Sequence, residues 1–180
     1  MIRVTPAPDF IASQPWWPQD NEQWSALSQH ATEQKRLLQS THQASQQAHA
    51  EGMAIDQLIG AYATVVDHLL CHAWLNHGLD KIGASLLAVG GYGRAELHLH
   101  SDVDLTILLE DNCDEDSKQQ IGEFLTTLWD TGLDIGYSVR TINETVTEAT
   151  NDITVITSLL ESRILIGNQA LFDALLTATA

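Results

Sequence analysis

The apolar residues of this chain change their period partway along it, and that change decides the fold class. Ile55, Leu58, Ile59, Tyr62, Val65, Val66, Leu69, Leu70, Ala73 and Trp74 recur at spacings of three and four. That pattern predicts a core-facing helix over 53–77, ended near Asn76-His77-Gly78. Ser85-Leu-Leu-Ala-Val89 is then a short apolar run that stops at Gly90-Gly91, and 102–109 alternates apolar with polar. Both read as strands with a glycine-containing turn between them. Ile121, Phe124, Leu125, Leu128 and Trp129 mark a further helix, and 134–140 alternates as a third strand. Strands interleaved with helices predict an α/β (α+β) domain, a small mixed sheet over 85–140 flanked by helices.

The segments on either side carry less information. The opening through Pro18 holds all four prolines and the pair Trp16-Trp17, which suits an irregular arm. From Glu22 to about Ala50 the chain is rich in Gln, Ala, Ser and His, so one exposed polar helix with a thin contact stripe is expected. Residues 1–50 thus form an arm and a polar helix, and 51–180 the main domain. Thr141 followed by Glu144 fits a capping box, and Asp152 can cap a helix carrying Ile153, Ile156, Leu159 and Leu160. Leu171, Phe172, Leu175 and Leu176 begin an amphipathic helix without a stop signal, so 142–180 reads as C-terminal helices and the chain as a piece of a longer protein.

Charge and composition exclude several classes. Eight basic residues against twenty-four acidic ones give a formal net charge of −16, a field that repels phosphate backbones and argues against nucleic acid as a partner. Neither end has the apolar run of a membrane anchor or a signal peptide, so a cytoplasmic protein without a membrane partner is expected. Cys71 and Cys113 are too few for a disulfide scaffold, and Cys71 lies in the helical apolar pattern as a small core residue.

The chemistry concentrates in 88–105. Side chains alternate along a strand, so Asp102 and Asp104 share a face with α-carbons about 7 Å apart, and their carboxylates can converge on a cation. Magnesium takes oxygen ligands and is held by one or two carboxylates together with substrate phosphates, so the pair suits a metal-bound nucleoside triphosphate. Glycines after the first strand let backbone approach a ligand, successive amides there can cradle phosphate oxygens, and Arg94 is the nearby cation. A dinucleotide-binding glycine motif fails for want of its third glycine, and a phosphate loop ending in Gly-Lys-Ser/Thr is missing.

Gly90-Gly91, ten residues, then Asp102-Val-Asp104-Leu between two strands resembles the signature of the DNA polymerase beta-like nucleotidyltransferases. The longer run Gly-Gly-Tyr-Gly-Arg-x-Glu-Leu-His from Gly90, the Ser101-Asp-x-Asp-Leu motif, residues 128–141 and residues 152–167 together look like the N-terminal domain of the bacterial PII uridylyltransferase/uridylyl-removing enzymes. The likeness covers roughly 52–176. It departs at Ala95, where the family usually has glycine, and at Leu99, where it usually has proline. The resemblance implies transfer of UMP from UTP to a tyrosine of the PII signal protein with two magnesium ions. It implies Asp102 and Asp104 as metal ligands, a third carboxylate on the adjacent strand, and Gly90, Gly91, Arg94 and Ser101 around the nucleotide. Asp134 fits the third carboxylate and shares a face with Gly136, Ser138 and Arg140, although Asp130 is a rival and a plain strand-initial aspartate is the alternative.

Two further readings stay open: a relative that modifies a small cationic molecule such as an aminoglycoside, and a non-catalytic nucleotide-binding module. His68 and His72 are expected to be an ordinary surface pair on a helix, with His98 and His100 beside the site. The acidic run from Glu110 to Asp116 reads as a solvated loop.

Overall fold

The computed structural model describes residues 4–179, and among them the chain forms nine α-helices, a short 3-10 turn and a four-stranded sheet. The polar stretch that reads as one helix is two, α2 (Asn21–Leu27) and α3 (Ala31–Ala50). Its interruption has a local cause. The Gln34 side chain donates to the Ser28 carbonyl at 2.7 Å and the Ser28 hydroxyl to the Trp24 carbonyl at 2.7 Å, so side chains take the groups that would have carried the helix onward. The arm contains α1 (Asp9–Ala12), and Ile11, Trp17 and Trp24 enter the same apolar core as α4 (Ile55–Asn76). α4 matches the periodic stretch and is the core helix: Val65, Val66, Leu69, Leu70, Ala73 and Trp74 are all fully buried. It is long and apolar enough to cross a membrane, but 78% of its most apolar stretch lies inside the fold.

The strands are β1 (Ala84–Ala88), β2 (Val103–Leu109), β3 (Ile135–Thr141) and β4 (Arg163–Gly167), in the order β3-β2-β1-β4. β1 runs antiparallel to β2 and β4, and β2 runs parallel to β3. A parallel pair needs a crossover, which α6 (Glu115–Trp129) provides. α4 and α6 pack with Leu86, Leu105 and Ile107 on one face of the sheet. Leu87, Val89 and Leu108 point to the other, where they meet Leu159 of α8 (Ile153–Leu160) and Phe172 and Leu175 of α9 (Gln169–Ala178). β4 corrects the expectation of helices alone over 142–180. Its five residues are too short to show a period, and it is the second neighbour of a strand whose every residue is buried.

The expected caps form. The Thr141 hydroxyl accepts from the Glu144 amide while the Glu144 carboxylate accepts from the Thr141 amide, opening α7 (Ile142–Asn151), and Asp152 caps α8 through the Thr154 amide. The acidic run is partly built in rather than merely solvated. Asp114 caps α6 by accepting from the Ser117 amide, and Glu110 accepts from the Asn168 side chain. Both cysteines are free, with Cys71 buried in the core.

Candidate active site

β2 begins at Val103, one residue later than the alternation suggests, so Asp102 sits just ahead of the strand and Asp104 on it. Val103, Leu105 and Ile107 are buried and Asp104 is exposed, as the alternation requires. Its carboxylate is flanked by two glycines. Gly136 is its cross-strand partner on β3, where a Cβ would stand 2.6 Å from Asp104 Oδ1. Gly90 opens the helical turn α5 (Gly90–Gly93) at φ +59°, and a Cβ there would lie 3.5 Å from Asp104 Oδ2. Side chains are thus kept off the acid from the strand beside it and from the loop before it. Although the residue as a whole is exposed, partial desolvation of the Asp104 carboxyl pushes it above its ordinary value, and the charge of Asp102 pushes it further. Two adjacent carboxylates of this kind are stabilised by a cation.

The glycine segment is a helical turn rather than an irregular loop, and it is anchored from behind. Tyr92 is buried, and its hydroxyl donates to Asp67 Oδ1 of α4 at 2.6 Å. Arg163 of β4 donates to both Asp67 oxygens at 2.8 Å and lies 5.1 Å over the Tyr92 ring. A charged pair so deep is strongly oriented. The sequence does not single out Asp67 and Arg163, though an aspartate within the mostly apolar run 61–71 is a signal.

A cavity of about 430 Å³ opens here, lined by Gly91, Arg94, Ser101, Asp102 and Asp104 together with Glu96 and His98. Arg94 differs from the free cation expected of it. Its guanidinium donates to Glu96 at 2.9 Å and to Glu161, at the end of α8, at 2.5 Å, and these partners raise its pKa, the Glu96 hydrogen bond first. Ala95, next to it, holds φ +58°, the left-handed region that favours glycine.

Asp134 immediately precedes β3 as Asp102 precedes β2, and its carbonyl accepts from the Val103 amide at 2.7 Å. It opens on a neighbouring cavity of about 380 Å³ that shares Ser101 with the first and is also lined by His42, Tyr62 and His100. Among the described residues no three His, Cys, Asp or Glu side chains stand close enough together to hold a metal by themselves. Asp102 and Asp104 themselves offer only carboxylate oxygens, a donor type that suits magnesium completed by phosphates.

His68 and His72 are not a surface pair. Trp24 stacks on both at 5.1 Å, Trp17 lies edge-on to His68 at 5.3 Å, and His72 is buried. Burial lowers the pKa of both, His72 to about 4. They belong to the core that receives the arm, away from the acids.

Asp104 on β2 and Asp102 just ahead of it thus face the glycine turn across one cavity. The profile of the DUF294 nucleotidyltransferases matches residues 39–150. The chain belongs to this nucleotidyltransferase family. The match takes in α4, the glycine turn, Asp102, Asp104 and Asp134, so the whole site described above is nucleotidyltransferase sequence. Among curated relatives, the bifunctional uridylyltransferase/uridylyl-removing enzyme of Pseudomonas putida strain W619 is 43% identical over 147 residues, covering 81% of this chain and 16% of that protein. The enzyme of the same name from Stutzerimonas stutzeri strain A1501 is 44% identical over 148 residues, again 81% of this chain and 16% of that protein. The one from Methylococcus capsulatus strain Bath is 46% identical over 130 residues, 72% of this chain and 15% of that protein. The chain therefore spans about one-sixth of the length of these relatives, and as a nucleotidyltransferase domain it is a transferase.

Proposed function

We propose that this nucleotidyltransferase domain transfers UMP from UTP to a tyrosine hydroxyl of the PII nitrogen-regulatory protein and releases pyrophosphate. The observation that carries the reading is the Asp102–Asp104 pair set against the glycine turn, in a chain whose relatives bear the name uridylyltransferase. Asp102 and Asp104, with Asp134, would hold two magnesium ions. Bound there, the metal supplies positive charge against the triphosphate and the attacking oxygen.

The protein's own groups do the rest by placement. Amides of Gly90 and Gly91 and the hydroxyl of Ser101 meet phosphate oxygens, while Tyr92, Asp67 and Arg163 fix the turn that presents those amides. Arg94 is held at the cavity by Glu96 and Glu161, so incoming phosphates exchange with those carboxylates for its guanidinium. The acceptor hydroxyl approaches from the Asp134 side and releases its proton to solvent as its oxygen attacks the α-phosphorus. The bond from that phosphorus to the oxygen bridging to the β-phosphate breaks, and pyrophosphate leaves with that oxygen. With positioning and charge as the main contributions, no histidine base is required. A soluble, cytoplasmic setting suits this substrate pair.

The test is to incubate the chain with magnesium, purified PII and each nucleoside triphosphate in turn, and to weigh PII by mass spectrometry. A gain of one UMP with UTP alone is expected. No gain with any nucleotide, or an equal gain with all of them, overturns the proposal.

A further inference from the structure

A second opening at the side of Asp104 has no role in the mechanism above. About 280 Å³ lies between the sheet and α8, bordered by Asp104 and Gly136 at one end and by Arg140 at the other. Gly136 and Arg140 are four residues apart on β3, about 13 Å of strand. Thr106 and Ser138 lie between them with their hydroxyls 3.0 Å apart, and Ser158 of α8 faces the same space. Leucine and valine side chains supply the apolar lining.

Its electrostatics differ from those of the glycine-turn cavity. Arg94 is pinned by two carboxylates, whereas the nearest carboxylate oxygen to Arg140 is that of Glu148, at 3.9 Å. Asp104 is the one carboxylate among the residues lining this space. A molecule whose phosphates lie at Asp104 thus finds beside them a slot with apolar walls, small hydroxyls and one donor-only side chain. Guanidinium donates and never accepts, so it pairs with carbonyl oxygens and not with an amino group. A hydroxyl can do either and does not discriminate.

Building on the uridylyl-transfer reading, we propose that this cavity holds the base of the nucleotide and that Arg140 meets the 4-position of a pyrimidine, selecting a carbonyl oxygen there over an amino group. Arg140 is then a specificity residue of the same site, and the glycine turn remains the phosphate end.

Titration calorimetry with magnesium-UTP, magnesium-CTP and inorganic pyrophosphate tests this on the whole chain and on Arg140→Gln, Arg140→Lys and Ser138→Ala, with unfolding midpoints measured alongside. The unaltered chain should bind UTP at least about tenfold more tightly than CTP. Arg140→Gln should weaken UTP about tenfold and erase the preference while leaving pyrophosphate affinity unchanged, and Arg140→Lys should retain part of both. Ser138→Ala should weaken both nucleotides and keep the preference; if Arg140→Gln does not fold, the contrast between Arg140→Lys and Ser138→Ala decides. Equal UTP and CTP affinities in the unaltered chain, a preference that survives in Arg140→Gln, or a parallel loss of pyrophosphate affinity overturns the assignment while the transfer reading stands. An unaltered chain that binds neither nucleotide nor pyrophosphate overturns both.

Discussion

Asp104 bears a charge that its surroundings disfavour in the absence of a cation. Its folded pKa is raised, so the folded state holds a proton there more tightly than the unfolded one, and ionising it costs stability at neutral pH. Asp104→Asn should therefore raise the unfolding midpoint of the metal-free protein by about 1–2 °C while cutting transfer by about 10²-fold or more. Added magnesium should stabilise the unaltered chain and leave the variant unchanged, which calorimetry with and without the ion checks. Ala95 is a different case, a backbone strain at a side chain that carries no charge. Glycine there relieves about 1–2 kcal/mol of left-handed backbone cost and gives back about 0.4–1 kcal/mol of unfolded-chain entropy, so Ala95→Gly should stabilise by about 0.5–1 kcal/mol in denaturant titration. Alternation made Asp102 and Asp104 legible in the sequence because it is a property of neighbours. The ion pairing of Arg94 was not, since one of its partners is Glu161, sixty-seven residues away.

Among the elements, the joint between α4, the glycine turn and β4 matters most for the site. Asp67 and Arg163 bring these three together, and the buried partner of a charge cannot be removed cheaply. Asp67→Ala should destabilise the fold by about 3–5 kcal/mol, read from chemical denaturation, with Tyr92 losing its hydroxyl acceptor at the same time. Helix α4 was readable because twenty-two residues carry a sustained period, and the capping box of α7 because its chemistry is local. β4 was hidden by its brevity, and the break between α2 and α3 by a side chain reaching back six residues to take a carbonyl. The mixed sheet was foreseen with three strands and has four, because strand pairing is decided by partners distant in sequence.

For the molecule as a whole, acid sensitivity follows from the aromatic stack that joins the arm to α4. His68 and His72 have lowered pKa values, so well above the ordinary histidine pKa of about 6.5 they are uncharged in both folded and unfolded states and contribute no pH dependence. As pH falls below about 6.5 the unfolded chain takes up protons that the folded one refuses until near pH 4 in the case of His72. The midpoint should drop by several degrees across that window, and His72→Gln should flatten the drop; an unchanged slope in the variant would place the acid sensitivity elsewhere. The net charge of −16 adds self-repulsion above this range but leaves the carboxylates free to gather cations. Asp102 and Asp104, facing the glycine turn, are the proposed nucleotidyl-transfer site. Its most direct measurement is magnesium-dependent pyrophosphate release from UTP in the presence of PII, compared between the unaltered chain and Asp104→Asn at matched folded concentration. Release should keep step with UMP added to PII and collapse in the variant; release at the same rate in both would remove these acids from the chemistry.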